Sequence, residues 1–231
     1  MQHTSRAFEE ELHELSAKVS SMGTEAERLL RDGVSALLEG NATLAGEVIA
    51  ADRQLDLIQR EAETLAVGMI ARRQPMADDL RRIVGIMRMV ADIERVGDLA
   101  KGIAKRAALI GLPVDRRVVS TGIQALYSAA LAQFAAVLVT FRDDDAEAAE
   151  RVRLADEKID TLYNALVREL LTYMMEDSQA ITLATHLLFC AKNLERVGDH
   201  ATNIAETILY VVTGDDPPID RPRSEAAAAE G

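Results

Sequence analysis

Apolar residues recur at spacings of three and four along most of this chain, and nowhere do they alternate with polar ones. From Phe8 to about Glu39 the positions Leu12, Leu15, Val19, Met22, Leu29, Leu30, Val34, Leu37 and Leu38 keep that spacing with charges between them, which predicts an amphipathic helix. Gly40-Asn41 supplies a stop and a new N-cap. A second helix follows to about Arg73 through Leu44, Val48, Leu55, Ile58, Ala62, Leu65 and Met69. Pro75 is placed to open the third helix, which runs on through Ile83, Met87, Val90, Ile93 and Gly97 and ends near Gly111-Leu112-Pro113. A fourth reaches about Arg142. Asp143-Asp144-Asp145 then gives a turn and an acidic start to a fifth that ends near Glu176, and Ser178 is expected to cap a sixth that reaches Thr213. Beyond Gly214 the periodicity stops, so 214–231 is expected to be a disordered tail.

Two of these helices repeat two others. Glu94-Arg95-Val96-Gly97-Asp98 returns 101 positions later as Glu195-Arg196-Val197-Gly198-Asp199. Ala51-Asp52-Arg53-Gln54-Leu55-Asp56 returns at an offset of 104 as Ala155-Asp156-Glu157-Lys158-Ile159-Asp160, so the copies differ by three residues in a connection. The expected fold is therefore all-α: two tandem antiparallel three-helix bundles related by internal duplication, spanning residues 1–111 and 112–213. Composition agrees, because aromatics are only 3% while Ala, Leu, Val, Arg and Glu dominate.

Charge narrows the possible functions. With 38 acidic against 26 basic residues the net charge is −12, which argues against binding nucleic acid by phosphate neutralisation and suits cations or a basic partner surface. A single cysteine, Cys190, and an N-terminus without an apolar signal core lead to the expectation of a cytoplasmic protein. Ile123 to Phe141 is uncharged for nineteen residues, yet its Gln124, Ser128, Gln133 and Thr140 and six alanines fall short of a membrane span. It reads instead as a central helix, buried on most sides, where two bundles or two subunits meet.

Each half carries two acidic pairs at i, i+4, and each pair projects from one helix face one turn apart. At 100° per residue Glu94 and Asp98 fall along an edge of the apolar stripe of their helix, and Glu195 and Asp199 along the matching edge of theirs. Oxygen-only donors there suit hard cations. The same carboxylates also suit ion pairs with Arg53, Arg95, Arg196, Lys101 and Lys158, the reading that spacing alone favours. Neither repeated acidic segment has the Glu-x-x-His of di-iron bundles, and no phosphate loop, dinucleotide fingerprint, zinc-protease motif or nucleophile elbow occurs. His200 is expected at a surface or interface, His186 packed, and Cys190 in the core. Gly97 and Gly198 cost their helices about 1 kcal/mol each relative to Ala, which implies close approach of another helix or access to a cation.

The doubled Asp-x-x-x-Asp and Glu-Arg-Val-Gly-Asp pattern, with His200-Ala201-Thr202-Asn203-Ile204-Ala205-Glu206 following the second copy, closely resembles the PhoU family of phosphate-signalling proteins. The resemblance covers about Phe8 to Thr213. It implies a pair of three-helix bundles, often forming a homodimer, and a regulatory rather than catalytic role: a negative regulator of the phosphate-starvation response. Such a protein couples the ATPase subunit of the high-affinity phosphate ABC transporter to a sensor histidine kinase, restrains uptake, and meets the membrane only through its partners. It also implies multinuclear sites for divalent or trivalent metal ions (iron, manganese, magnesium or zinc). The carried-over ligands are Asp52, Asp56, Glu94 and Asp98 in one half, and Asp156, Asp160, Glu195 and Asp199 in the other, with Asn203 as a further donor. Where the second copy has Asn203 the first has Gly102, with Lys101 alongside. A metal-dependent enzyme or metal store is the alternative reading.

Overall fold

In the computed structural model, which describes residues 2–114 and 117–217, seven α-helices and one short 3-10 turn follow in order. They are α1 (Gln2–Glu39), α2 (Ala42–Arg73), α3 (Asp78–Ile110), α4 (Arg117–Asp143), α5 (Ala146–Leu154), α6 (Asp156–Glu176), the turn at Ser178–Ala180, and α7 (Ile181–Thr213). No strand occurs among the described residues. Helices α1, α2 and α3 pack on one another, as do α4, α5–α6 and α7, and the two sets join where α3 packs on α7 and α1 on α4.

Both halves begin their second helix in the same way. Gly40 ends α1 at φ 66°, and the Asn41 side chain then accepts from the Leu44 N–H at 3.0 Å. In the second half Asp144 takes φ 49° and Asp145 accepts from the Ala148 N–H at 2.9 Å. Asp144 lies 104 residues after Gly40, the offset that relates Asp52 to Asp156.

Four local expectations give way. Pro75 does not open α3: Gln74 turns left-handed at φ 48° to close α2, Ala77 follows at φ 50°, and α3 starts at Asp78 with Asp78 and Asp79 in its first turn, where its dipole favours them. Ser178 does not cap the last helix. Asp177 accepts from the Gln179 N–H at 2.9 Å, and a 3-10 turn leads into α7 at Ile181. The fifth helix is not continuous but breaks at Ala155, whose N–H reaches back to the Val152 carbonyl at 3.1 Å. No Gly or Pro marks that break.

The fourth departure concerns α4, which meets both halves but is not buried on most sides. Over its most apolar stretch only 39% of the residues are buried. Ile123, Leu126, Ala130, Phe134 and Val137 face the core, while Ala129, Ala132, Ala136 and Val139 line an apolar groove against α5 and α6 of about 580 Å³. The expected tail, beyond Pro217, lies outside the described residues.

Candidate functional site

In the first half the acidic pairs come from α2 and α3. Asp52 is almost fully buried, 2% exposed, and its Oδ2 takes a bond from Lys101 Nζ at 2.5 Å. The same ammonium reaches Asp98 Oδ1 at 3.4 Å, while Arg95 lies 3.6 Å from Glu94 and 3.3 Å from the other Asp98 oxygen. Burial pushes the Glu94 carboxyl above its ordinary range, and the Asp98 and Asp56 carboxylates push it the same way against the pull of Arg95. The bond to Asp52 raises Lys101. Like charges are thus gathered here, and held by cations of the chain itself.

The second half assembles Asp156 and Asp160 on α6 with Glu195 and Asp199 on α7. Because of the break at Ala155, Asp156 is the first residue of α6, where a helix N-terminus favours negative charge. Asp156 and Glu195 are both buried. Glu195 Oε1 accepts from Lys192 at 2.5 Å, and its Oε2 is buried without a hydrogen-bond partner. Burial raises the Glu195 carboxyl, the Lys192 bond holds it down, and Asp199 and Asp160 raise it further.

Gly97 and Gly198 serve the close approach of helices. A Cβ at Gly97 would meet the Leu55 Cδ2 methyl at 2.2 Å, and one at Gly198 would meet Ile159 Cδ1 at 2.7 Å. Leu55 and Ile159 stand between the two aspartates of their respective pairs, so each glycine lets one apolar side chain draw the acidic helices together.

Asn203 faces elsewhere. Its amide donates to Asp92 Oδ1 on α3 at 3.3 Å, and His200 Nδ1 lies 2.8 Å from the same oxygen. Both belong to the seam between α3 and α7, as the interface reading of His200 expected. His186 is half-buried, 3.3 Å from Arg106. Cys190 is fully buried, and burial pushes its thiol up to about 12.

For a hard cation the donor chemistry fits: eight carboxylates on four helices, two glutamates whose ionised form is disfavoured, and one buried carboxylate oxygen lacking a donor. As the side chains stand, no three His, Cys, Asp or Glu residues among the described residues converge closely enough to hold an ion. The spacing argument also missed Lys192 and Gln133. Gln133 is a buried amide on α4 whose Oε1 faces Gly198 and Asp156. In the sequence it was one of four polar residues in an otherwise apolar run.

Comparison with known proteins bears on the same elements. A family model described as the PhoU domain matches residues 19–107 and 123–208. The chain is 48% identical over 230 residues, 99% of this chain and 97% of the relative, to a phosphate-specific transport system accessory protein PhoU homolog of Rhizobium meliloti (strain 1021). It is 42% identical over 222 residues, 96% of each chain, to one of Caulobacter vibrioides (strain NA1000 / CB15N). The crystal structure of PhoU from Pseudomonas aeruginosa superimposes with a TM-score of 0.86 at 35% identity, covering 90% of this chain and all of that one. That of the phosphate transport system regulatory protein PhoU from Streptococcus pneumoniae gives 0.84 at 28%, covering 92% and all of that chain.

Proposed function

The chain belongs to the PhoU family, and from that premise we propose that it regulates phosphate transport as a non-catalytic accessory protein of the phosphate-specific transport system. The observation that carries this reading is 48% identity running through 99% of the chain to a relative of that name.

In this role it is an adaptor in the cytoplasm. It binds the ATPase subunit of the phosphate ABC transporter and a sensor histidine kinase, and represses the starvation response when phosphate is plentiful. Long helices with a net charge of −12 offer extended acidic faces, and charge complementarity to basic partner surfaces would speed and orient docking. The active form is a homodimer. The domains are the two bundles, 1–111 and 112–213.

Metal belongs to the same proposal. Asp52, Asp56, Glu94 and Asp98 would hold ions in one half, and Asp156, Asp160, Glu195 and Asp199 in the other. A bound cation supplies the positive charge that lets these carboxylates stay ionised side by side. The chain's own part is to present them from paired helices that Gly97 and Gly198 bring together. An enzymatic reading has less support, because Cys190, the chain's one cysteine, is held as a buried thiol.

Complementation tests the reading. A strain lacking its own accessory protein, with a reporter of phosphate starvation, should be repressed again in high phosphate when this chain is expressed, and the transporter ATPase should co-purify with it. A reporter that stays on while the protein accumulates to normal levels would overturn it.

A further inference from the structure

At two positions of the repeat the halves carry different residues, and in the second half those residues bond each other beside the acidic pairs. The offset of 104 that carries Asp52 onto Asp156 and Leu55 onto Ile159 also carries Leu29 onto Gln133. The offset of 101 that carries Gly97 onto Gly198 carries Lys101 onto Thr202. In the first half, then, the counterpart of Gln133 is a fully buried leucine, and a lysine ammonium bonds the buried aspartate of the site. In the second half these become an amide and a hydroxyl.

Those two groups bind each other, and the bond fixes which way the amide points. Gln133 is 6% exposed, and its Nε2 donates to the Val152 carbonyl at 3.1 Å and to Thr202 Oγ1 at 3.1 Å. The Thr202 hydroxyl spends its own proton on the Gly198 carbonyl at 3.1 Å, so it can only accept from Gln133. With two acceptors on one side, the amide cannot be reversed. Oε1 must point the other way, where it is buried without a hydrogen-bond partner. It points at the acidic site: a Cβ on Gly198 would lie 3.1 Å from Gln133 Oε1 and 3.3 Å from Asp156 Oδ1. Two oxygens of acceptor character therefore converge on one face of a glycine, beside the buried Glu195 whose Oε2 also lacks a partner.

From this arrangement we infer that the two halves are not equivalent ion sites: the second half binds the hard divalent cation more tightly, with Gln133 Oε1 as a neutral donor beside its carboxylates, while in the first Lys101 competes as a built-in cation. The inference rests on the metal reading above and ranks its two halves. Neutral amide oxygens are ordinary ligands of such cations, and a buried one held by two bonds needs no reorganisation to serve. Lys192, the second half's own ammonium, is about half exposed; it bonds Glu195 and lies over the Tyr163 ring, but bridges no two carboxylates. Lys101 is bound to Asp52 and Asp98 from opposite helices and is more buried.

Calorimetric titration of chelator-treated protein with Mn²⁺, checked by the electron spin resonance of bound Mn²⁺, tests this. One tight site per chain is expected. Gln133→Leu, which installs the residue of the first half, should weaken it about tenfold or more, as loss of a supporting ligand contact does. Gln133→Glu should retain or tighten it, which a merely structural amide would not do. Lys101→Thr should bring a second site into range. Circular dichroism confirms that each variant keeps its helices. Two equal sites in the parent protein, or one tight site indifferent to Gln133→Leu, would overturn this inference and leave the metal reading standing. Absence of Mn²⁺ binding in the parent and in Lys101→Thr alike would remove both.

Discussion

Glu94 has a charge that the fold tolerates rather than uses. Its carboxyl is raised by burial and by Asp98 and Asp56, so in the metal-free protein its ionised form costs stability. The sign follows directly. The penalty is complete above the raised folded value, shrinks as pH falls through it, and is gone below the ordinary value of 4.5. Glu94→Gln, which keeps the shape and removes the charge, should therefore stabilise the metal-free protein at pH 7 by about 0.5 kcal/mol, as expected for relief of a like-charge pair on a helix. Urea unfolding at pH 7 and pH 4 checks it, with the gain present at the first and absent at the second. The candidate ligands themselves were legible in the sequence, because identical acidic pairs recurred in identical order. Gln133 was not. An isolated polar residue in an apolar helix has no periodicity of its own, and its meaning depends on Val152, Thr202 and Gly198, which are 19, 69 and 65 positions away in the chain.

Among the elements, the turn between α1 and α2 is the best place to measure what local geometry contributes. Asn41 caps α2 with one side-chain bond, and its loss in Asn41→Ala should cost about 1 kcal/mol. Gly40 faces two constraints at once. It takes φ 66°, and a Cβ there would lie 2.4 Å from the Leu112 carbonyl carbon and 2.6 Å from Pro113 N, atoms of backbone that cannot rotate away. Gly40→Ala should cost more than about 2 kcal/mol and clearly exceed Asn41→Ala. Thermal unfolding of the pair checks the order. Both residues were readable as a stop and a cap because Gly and Asn do here what their chemistry favours everywhere. The break at Ala155 was invisible for the converse reason. Alanine is the best helix former, and α5 and α6 meet there, each packed on α4 and α7, with no residue that refuses the helix.

At the level of the whole molecule, the halves are held together along α3 and α7, which run antiparallel about the two glycine motifs. At one end Asp92 of α3 meets His200 and Asn203 of α7; at the other Asn193 of α7 donates to the Leu99 carbonyl of α3 at 3.3 Å. Asp92 and Asn193 are 101 residues apart, so the duplication places each on the other half in the same way. Asp92 and His200 should therefore couple. A double-mutant cycle with Asp92→Ala and His200→Ala should return an interaction of about 1 kcal/mol, measured by urea unfolding, whereas independent sites would add without remainder.

Apolar spacing, two caps and two repeated acidic segments were enough to give an all-helical duplicated chain and to single out eight candidate carboxylates in it. These are short-range properties, set by what a residue does to its own turn of helix and to the next. How deeply α4 is buried, where α5 yields to α6, that Asn203 serves the seam between the halves, and that Gln133 looks toward Asp156 all depend on side chains brought together from distant positions. Such contacts are set by how closely whole helices can approach, and periodicity within one helix carries no information about the face of the next.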